Sequence, residues 1–236
     1  MTAPLRLYTF SPGFGLPTSG PFGLKLELAL RATGVPYERH VWDNLLTAPK
    51  RKIPFVERGG ERVGDSELIL RWLGVDPDAG LSAAERAVGL GFRRLLEEHW
   101  HQVFEYELFV HPEGFATSAR TMAPELPAIV RWIAARYLRR HFRRHLFERG
   151  IGRHTPDEIA DFGRRDLDAI AAWLDGKTWF FGDRPTLTDC SAFGLLAPAL
   201  GAPHQRPAMA HARSLPPIVA FVERCRTTWF PEVRGA

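Results

Sequence analysis

A proline at the mouth of a strand, followed closely by a two-glycine turn and an acid-serine pair, constrains this chain more than any other feature. The stretch is KIPFVERGGERVGDSELILRWL, residues 52–73. In Ile53-Pro54 the ring removes a ladder donor, so the pair fits an edge, a bulge or a cis bend at the start of a strand. Phe55, Val56 and Glu57 then read as a strand. Gly59-Gly60 supplies the positive φ angles of a tight hairpin, and Glu61 to Val63 makes the return strand. Asp65 caps a helix with Ser66 in its first turn and an apolar face of Leu68, Ile69, Trp72 and Leu73. Free amides at such a start attract a carboxylate or phosphate, so the unit reads as half of a binding site.

The preceding residues supply a matching half. Arg6 to Phe10 is a short strand, followed by a Gly- and Pro-rich loop, SPGFGLPTSGP. That loop is long for a strand-to-helix connection, and long loops tend to carry function. Pro21 opens a helix through Leu24, Leu26, Leu28 and Leu30 that stops at Gly34. Tyr37 to Trp42 alternates as a strand, and Asp43 to Lys52 is a loop or short helix. The order is β-α-β, a connection, then β-β-α. Gly74 to Gly80 has the composition of a linker, which divides the chain into residues 1–75 and 81–236.

Beyond the linker only helices are expected. Ser82 and Glu85 form a capping box for a long helix past Leu95, Trp100 and Phe104. Residues 111–124 read as a break, a second long helix spans roughly Glu125 to Phe147, and a third starts at Thr155-Pro156. Thr186 and Asp189 have capping-box spacing for a helix so apolar that it belongs at the centre of this unit. A last amphipathic helix runs from Leu215 to Cys225.

Composition excludes several classes of function. With 236 residues, 45% hydrophobic and 25% charged, the chain is an ordinary globular protein and not a disordered or fibrous one. No stretch approaches a membrane span and no secretory signal opens the chain, so a cytoplasmic location is expected. Cys190 and Cys225 are too far apart for a dithiol or a cysteine-rich metal site. His141 and His145 have ligand spacing but no acid between them, and they sit among Arg139, Arg140, Arg143 and Arg144, so we read a solvated basic face and no metal. Net charge is only +4, and no nucleic-acid module accompanies that face.

The segments KIPFVERGGERVGDSELI and FFGDRPTLTDCSAFG resemble the cis-proline strand, acid-serine pair and helix-capping segment of the glutathione transferase superfamily. GPFGLKLELALRATGVPYE and VERCRTTWFP resemble its Failed axon connections and metaxin branch. The resemblance implies a thioredoxin-like α/β N-terminal domain with a mixed four-stranded sheet and an all-helical C-terminal domain. It also implies a homodimer, glutathione as cosubstrate, and conjugation or reduction of a hydrophobic electrophile, as in detoxification.

Carried over residue by residue, the backbone of Ile53 beside a cis Pro54 would pair with the cysteinyl part of glutathione. Asp65 and Ser66 would hold its γ-glutamyl end, and Lys52 would meet its glycyl carboxylate. In relatives that bind no thiol, the same residues only shape the fold. The thiolate needs a donor beside the first helix, yet this chain has Gly20 and Gly23 where many relatives carry Ser or Cys. Ser19 is the first candidate, Thr18 the second and Ser11 the third, with the amides of Phe22 and Gly23 sharing the work. Tyr8 reads as a structural aromatic. His99, Trp100, His101, Tyr106 and Phe109 either line the pocket for the electrophile or pack in the core. The alternative to an enzyme is a non-catalytic binding or assembly module of the same fold.

Overall fold

The computed structural model describes residues 3–121 and 127–232. Strands β1 (Arg6–Thr9), β2 (Glu38–Val41), β3 (Phe55–Arg58) and β4 (Glu61–Gly64) form one sheet in the order β2-β1-β3-β4. β1 lies parallel to β2 and antiparallel to β3, and β3 is antiparallel to β4. The parallel pair is joined through α1 (Pro21–Ala32), and β4 leads into α2 (Ser66–Trp72). Gly59 and Gly60 take φ of 62° and 88° at the β3-β4 turn, and the Ile53-Pro54 bond is cis.

The remaining described elements are helical. α3 (Ala83–Arg94) and α4 (His101–Glu105) are joined by π-helical Leu95–Trp100 and prolonged by π-helical Tyr106–Val110, making one rod over residues 83–110. Then come α5 (Pro112–Thr121), α6 (Ala128–Glu148), α7 (Pro156–Leu174), α8 (Leu187–Gly201), α9 (Pro207–Ser214) and α10 (Pro216–Trp229).

α1 is a middle layer. Its leucines share a core with Leu7 and Val56 of the sheet, and it packs along α8. Every residue from Gly23 to Leu30 is therefore buried, Lys25 and Glu27 included. Gly194 permits the approach: a Cβ there would lie 2.5 Å from the carbonyl oxygen of Pro21 and 3.0 Å from the amide of Lys25.

α8 is buried from Leu187 to Ala199, as its apolar sequence predicts. Asp189 Oδ2 accepts from the Thr186 amide at 2.8 Å and hydroxyl at 2.6 Å, and Oδ1 accepts from the Phe180 amide at 2.8 Å. Burial pushes the Asp189 carboxyl up to about 6 despite those donors. Asp78, from the turn-rich stretch after α2, accepts from the Leu187 amide at 2.9 Å. That linker thus supplies a buried cap to the central helix.

One expectation needs correcting. The break read at residues 111–124 contains α5, started by Pro112 in the first helical position. Within α5, Gly114 is a contact glycine: its Cβ would fall 1.6 Å from the carbonyl oxygen of Glu107. Residues 122–124 and the expected helix start at Glu125 lie outside the described residues, and α6 is described from Ala128. The sequence pattern also gave no sign of α9, whose short run PAMAHARS shows little periodicity.

Candidate functional site

The acid-serine turn is built around an unusual backbone. Asp65 takes φ 87°, a region that side-chain-bearing residues rarely occupy, and such outliers gather at functional sites. Its Oδ1 accepts from the amides of Glu67 at 3.1 Å and Leu68 at 3.2 Å, closing the start of α2. Ser66, the first helical residue, is buried, while Lys52 is exposed. Ile53 precedes the first rung of the sheet, since the β3 register begins at Phe55.

Beneath this turn lies a buried ionic network that the sequence pattern did not reveal. Lys25 Nζ, fully buried in α1, pairs with Glu97 Oε1 at 2.7 Å and Glu67 Oε1 at 3.2 Å. Ser191 Oγ donates to Glu97 Oε1 at 2.6 Å. Arg93 reaches Glu67 at 3.6 Å and Asp78 at 3.3 Å. Burial raises the Glu67 carboxyl, but Lys25, Arg93 and Arg94 outweigh it and hold it below the usual carboxylate range. Buried charges survive only when so paired. Through Glu67, the residue after Ser66, the network locks the acid-serine turn to α1, α3 and α8.

The long loop before α1 is ordered. Gly13 and Leu16 exchange main-chain hydrogen bonds around Phe14 and Gly15, both at positive φ, and the Ser19 amide donates to Ser11 O at 2.8 Å. Ser11 spends its hydroxyl on Asp43 Oδ2 at 2.8 Å. Thr18 is fully buried, and its Oγ1 accepts from the Gly20 amide at 3.2 Å. Ser19 is partly exposed. The two glycines have a steric reason: a Cβ at Gly20 would meet Phe10 at 2.7 Å, and one at Gly23 would meet Thr9 and Thr18 at 3.2 to 3.4 Å. Thr18 fills the space that a side chain at residue 23 would need.

Gly20 caps α1 without a side-chain partner, leaving first-turn amides free for an anion. Across from them stands α4. The Phe22 ring meets His101 edge-on at 5.3 Å. His101 Nε2 lies 3.6 Å from Glu105 Oε1, with side chains 16% and 14% exposed. Burial, then Arg149, Lys52 and His145, pulls the His101 imidazole down to about 4. Burial pushes Glu105 up to about 7, although Arg149 and Lys52 pull the other way.

The other aromatic candidates divide. Trp100 is core, donating to Leu195 O at 3.2 Å. His99 pairs with Asp166 at 2.6 Å, Phe109 stacks on Phe142 at 4.5 Å, and Tyr106 lines a different hollow. Only His101 among them meets Phe22 of α1. Tyr8 is buried and stacked on Phe55 at 4.4 Å.

The hollow beside Tyr106, about 910 Å³, is lined by Arg136, Arg139, Arg140, Arg143 and Arg144. Arg139 is turned inward there, donating to Val110 O through Nε at 3.3 Å and Nη2 at 3.1 Å. Among the described residues no three His, Cys, Asp or Glu side chains gather as a metal would require. No described helix is long and apolar enough to cross a membrane.

Comparison with known families agrees with this geometry. Residues 21–114 match the glutathione S-transferase N-terminal domain, and residues 163–225 match the glutathione S-transferase C-terminal domain. The chain belongs to the glutathione transferase superfamily. Its relatives include Failed axon connections of Drosophila melanogaster, 32% identical over 82% of this chain, which spans about half the length of that relative, 49%. An isoprene-epoxide glutathione S-transferase of Rhodococcus sp. (strain AD45) is 29% identical over 94% of this chain and 98% of its own. Metaxin-1 of Macaca fascicularis is 26% identical over 98% of this chain and 77% of its own. The solved glutathione transferase GSTFuA3 of Phanerochaete chrysosporium superposes with a TM-score of 0.65 at 14% identity, covering 100% of this chain and 99% of that one. In this glutathione transferase fold, Lys52, Ile53 and Pro54 lead into β3, Asp65 and Ser66 start α2, and Thr18 and Ser19 precede α1.

Proposed function

We propose that the protein binds glutathione on its N-terminal unit, residues 1–75, and joins the thiol to a hydrophobic electrophile held by the helical unit, residues 81–236. The observation that carries this reading is the pairing of a capped acid-serine turn with an uncapped α1 start. Ser66, through hydroxyl and amide, and Asp65 take the γ-glutamyl end. Ile53 offers main-chain groups to the cysteinyl part, and Lys52 meets the glycyl carboxylate. The α1 amides and the Ser19 hydroxyl lower the pKa of the thiol, while Thr18 serves as the buried brace of that turn. The transferase named in Rhodococcus, similar along nearly its full length, supports the enzymatic reading. We further propose a cytoplasmic homodimer. The test is retention on immobilised glutathione together with glutathione-dependent turnover of an activated aryl halide. Binding and turnover lost in Ser66→Ala are expected; absence of both in the unmodified protein rejects the proposal.

A second reading, a non-catalytic binding or assembly module, is favoured by one observation. Thr18 and Phe10 occupy the space where donors at residues 23 and 20 would stand. Saturable turnover that falls in Ser19→Ala would count decisively against it.

A further inference from the structure

Glu105 differs from the other buried acids of the helical unit. Glu107 gives both oxygens to the amides of Ala208 and Met209, and Asp189 gives both to Thr186 and Phe180. Glu105 Oε2 is buried without a partner, and Oε1 stops 3.6 Å short of His101 Nε2. A carboxylate kept for structure has its buried oxygens satisfied, as Glu107 and Asp189 do. Glu105 does not, and its partner His101 stands against Phe22 at the start of α1, where the proposed thiol would lie.

We propose that His101 and Glu105 form a one-proton pair that protonates the oxygen of the electrophile, so that the cleft is built for epoxides and related substrates that leave an oxyanion. The inference rests on the transferase reading above. The pair holds one proton whether it is written as carboxylic acid with imidazole or carboxylate with imidazolium. As the carbon–sulfur bond forms and the carbon–oxygen bond breaks, the pair gives that proton to the oxygen and is left with one negative charge. The thiol proton, released when the thiolate forms, reloads it, so the addition balances without a further reactant. Arg149 and Lys52 are the positive groups that bear on both members of the pair, with Glu98 holding Arg149 at 2.6 Å. The cations stabilise the discharged state. With burial raising Glu105 to about 7, the acid stays loaded near neutral pH, which is what general acid catalysis requires.

The experiment compares the unmodified protein with Glu105→Gln and His101→Gln, using styrene oxide and 1-chloro-2,4-dinitrobenzene, whose chloride leaves without a proton. The ratio of epoxide to halide turnover is expected to fall about 100-fold in each variant. A protonated carboxyl band in the infrared is expected in the unmodified protein or, if the pair is ionic, an imidazolium signal of His101, titrating near neutrality and lost in the matching variant. An unchanged ratio in both variants overturns the proposal, as does the absence of both signals. Halide turnover without epoxide turnover in the unmodified protein overturns it and leaves the transferase reading standing. Inactivity with both electrophiles rejects the two together.

Discussion

The acid-serine stretch and the loop before α1 are the two regions on which the proposed glutathione site rests, and they are specified by different means. In the first, local roles are set by near neighbours: Gly59 and Gly60 turn the hairpin, and Asp65 caps the amides of Glu67 and Leu68. In the second, distant side chains decide. Asp43 takes the Ser11 hydroxyl, Phe10 covers Gly20, and Thr18 fills the space beside Gly23. The proposed binding residues can thus be read from a local pattern, whereas the proposed donor to the thiol is chosen by what the packing leaves uncovered.

The largest effect is expected where the first region is held from below. Lys25→Met leaves Glu97 and Glu67 without their buried cation and should cost about 3–5 kcal/mol in denaturant unfolding. Lys25→Met with Glu97→Gln should cost less than the single change, because fewer charges are stranded.

In the second region, Gly23→Ser should lose about 1–3 kcal/mol through crowding against Thr9 and Thr18. Adding Thr18→Ala should recover much of it, since the methyl and hydroxyl in the way are gone. Failure of that rescue would mean that Thr18 does not set the glycine. A smaller loss, about 1 kcal/mol, is expected for Asp65→Ala from the missing cap. Asp65→Gly should be milder, because φ 87° suits glycine. Thermal unfolding of the two variants side by side checks the order.

The pH response is the most delicate difference. For Glu105, a folded pKa raised to about 7 gives stability that is present below the ordinary value of 4.5 and lost as pH rises toward 7. For His101, a folded pKa depressed to about 4 gives stability lost as pH falls from 6.5 toward 4. Between 4.5 and 6.5 the two slopes oppose each other, and the pair contributes a flat profile. Glu105→Gln removes the slope that favours low pH, so that variant should lose stability more steeply than the unmodified protein as pH falls across that interval. Unfolding midpoints in matched buffers would detect it.

Much of the fold was legible because it is written in short-range chemistry. The two-glycine hairpin, the Ser82-Glu85 box and the Thr186-Asp189 pair each identify an element from residues a few positions apart. The apolar run of α8 announced its own burial. The features that escaped notice depend on contact between distant segments. Lys25 carries no local signal of burial, yet α1 is covered on both sides and its charge is matched by Glu67 of α2 and Glu97 of the π-helical turn after α3. The contact of Gly114 with the carbonyl of Glu107 has no signal in the nearby residues. His101 was named only among the aromatic candidates, because π-helical Leu95–Trp100 shifts the phase of the helix and an ordinary 3.6-residue count from its start misplaces every later position along the rod. Thr18 and Ser19 could be named as donors, but packing alone decides which of them is covered.

A crystal structure of the glutathione complex tests the central claim most directly. The account predicts the γ-glutamyl end at Asp65 and Ser66, main-chain pairing at Ile53, and the sulfur at the start of α1 with the Ser19 hydroxyl nearest. A protein that takes up no glutathione at millimolar concentration, or one that holds the sulfur away from α1, would contradict it.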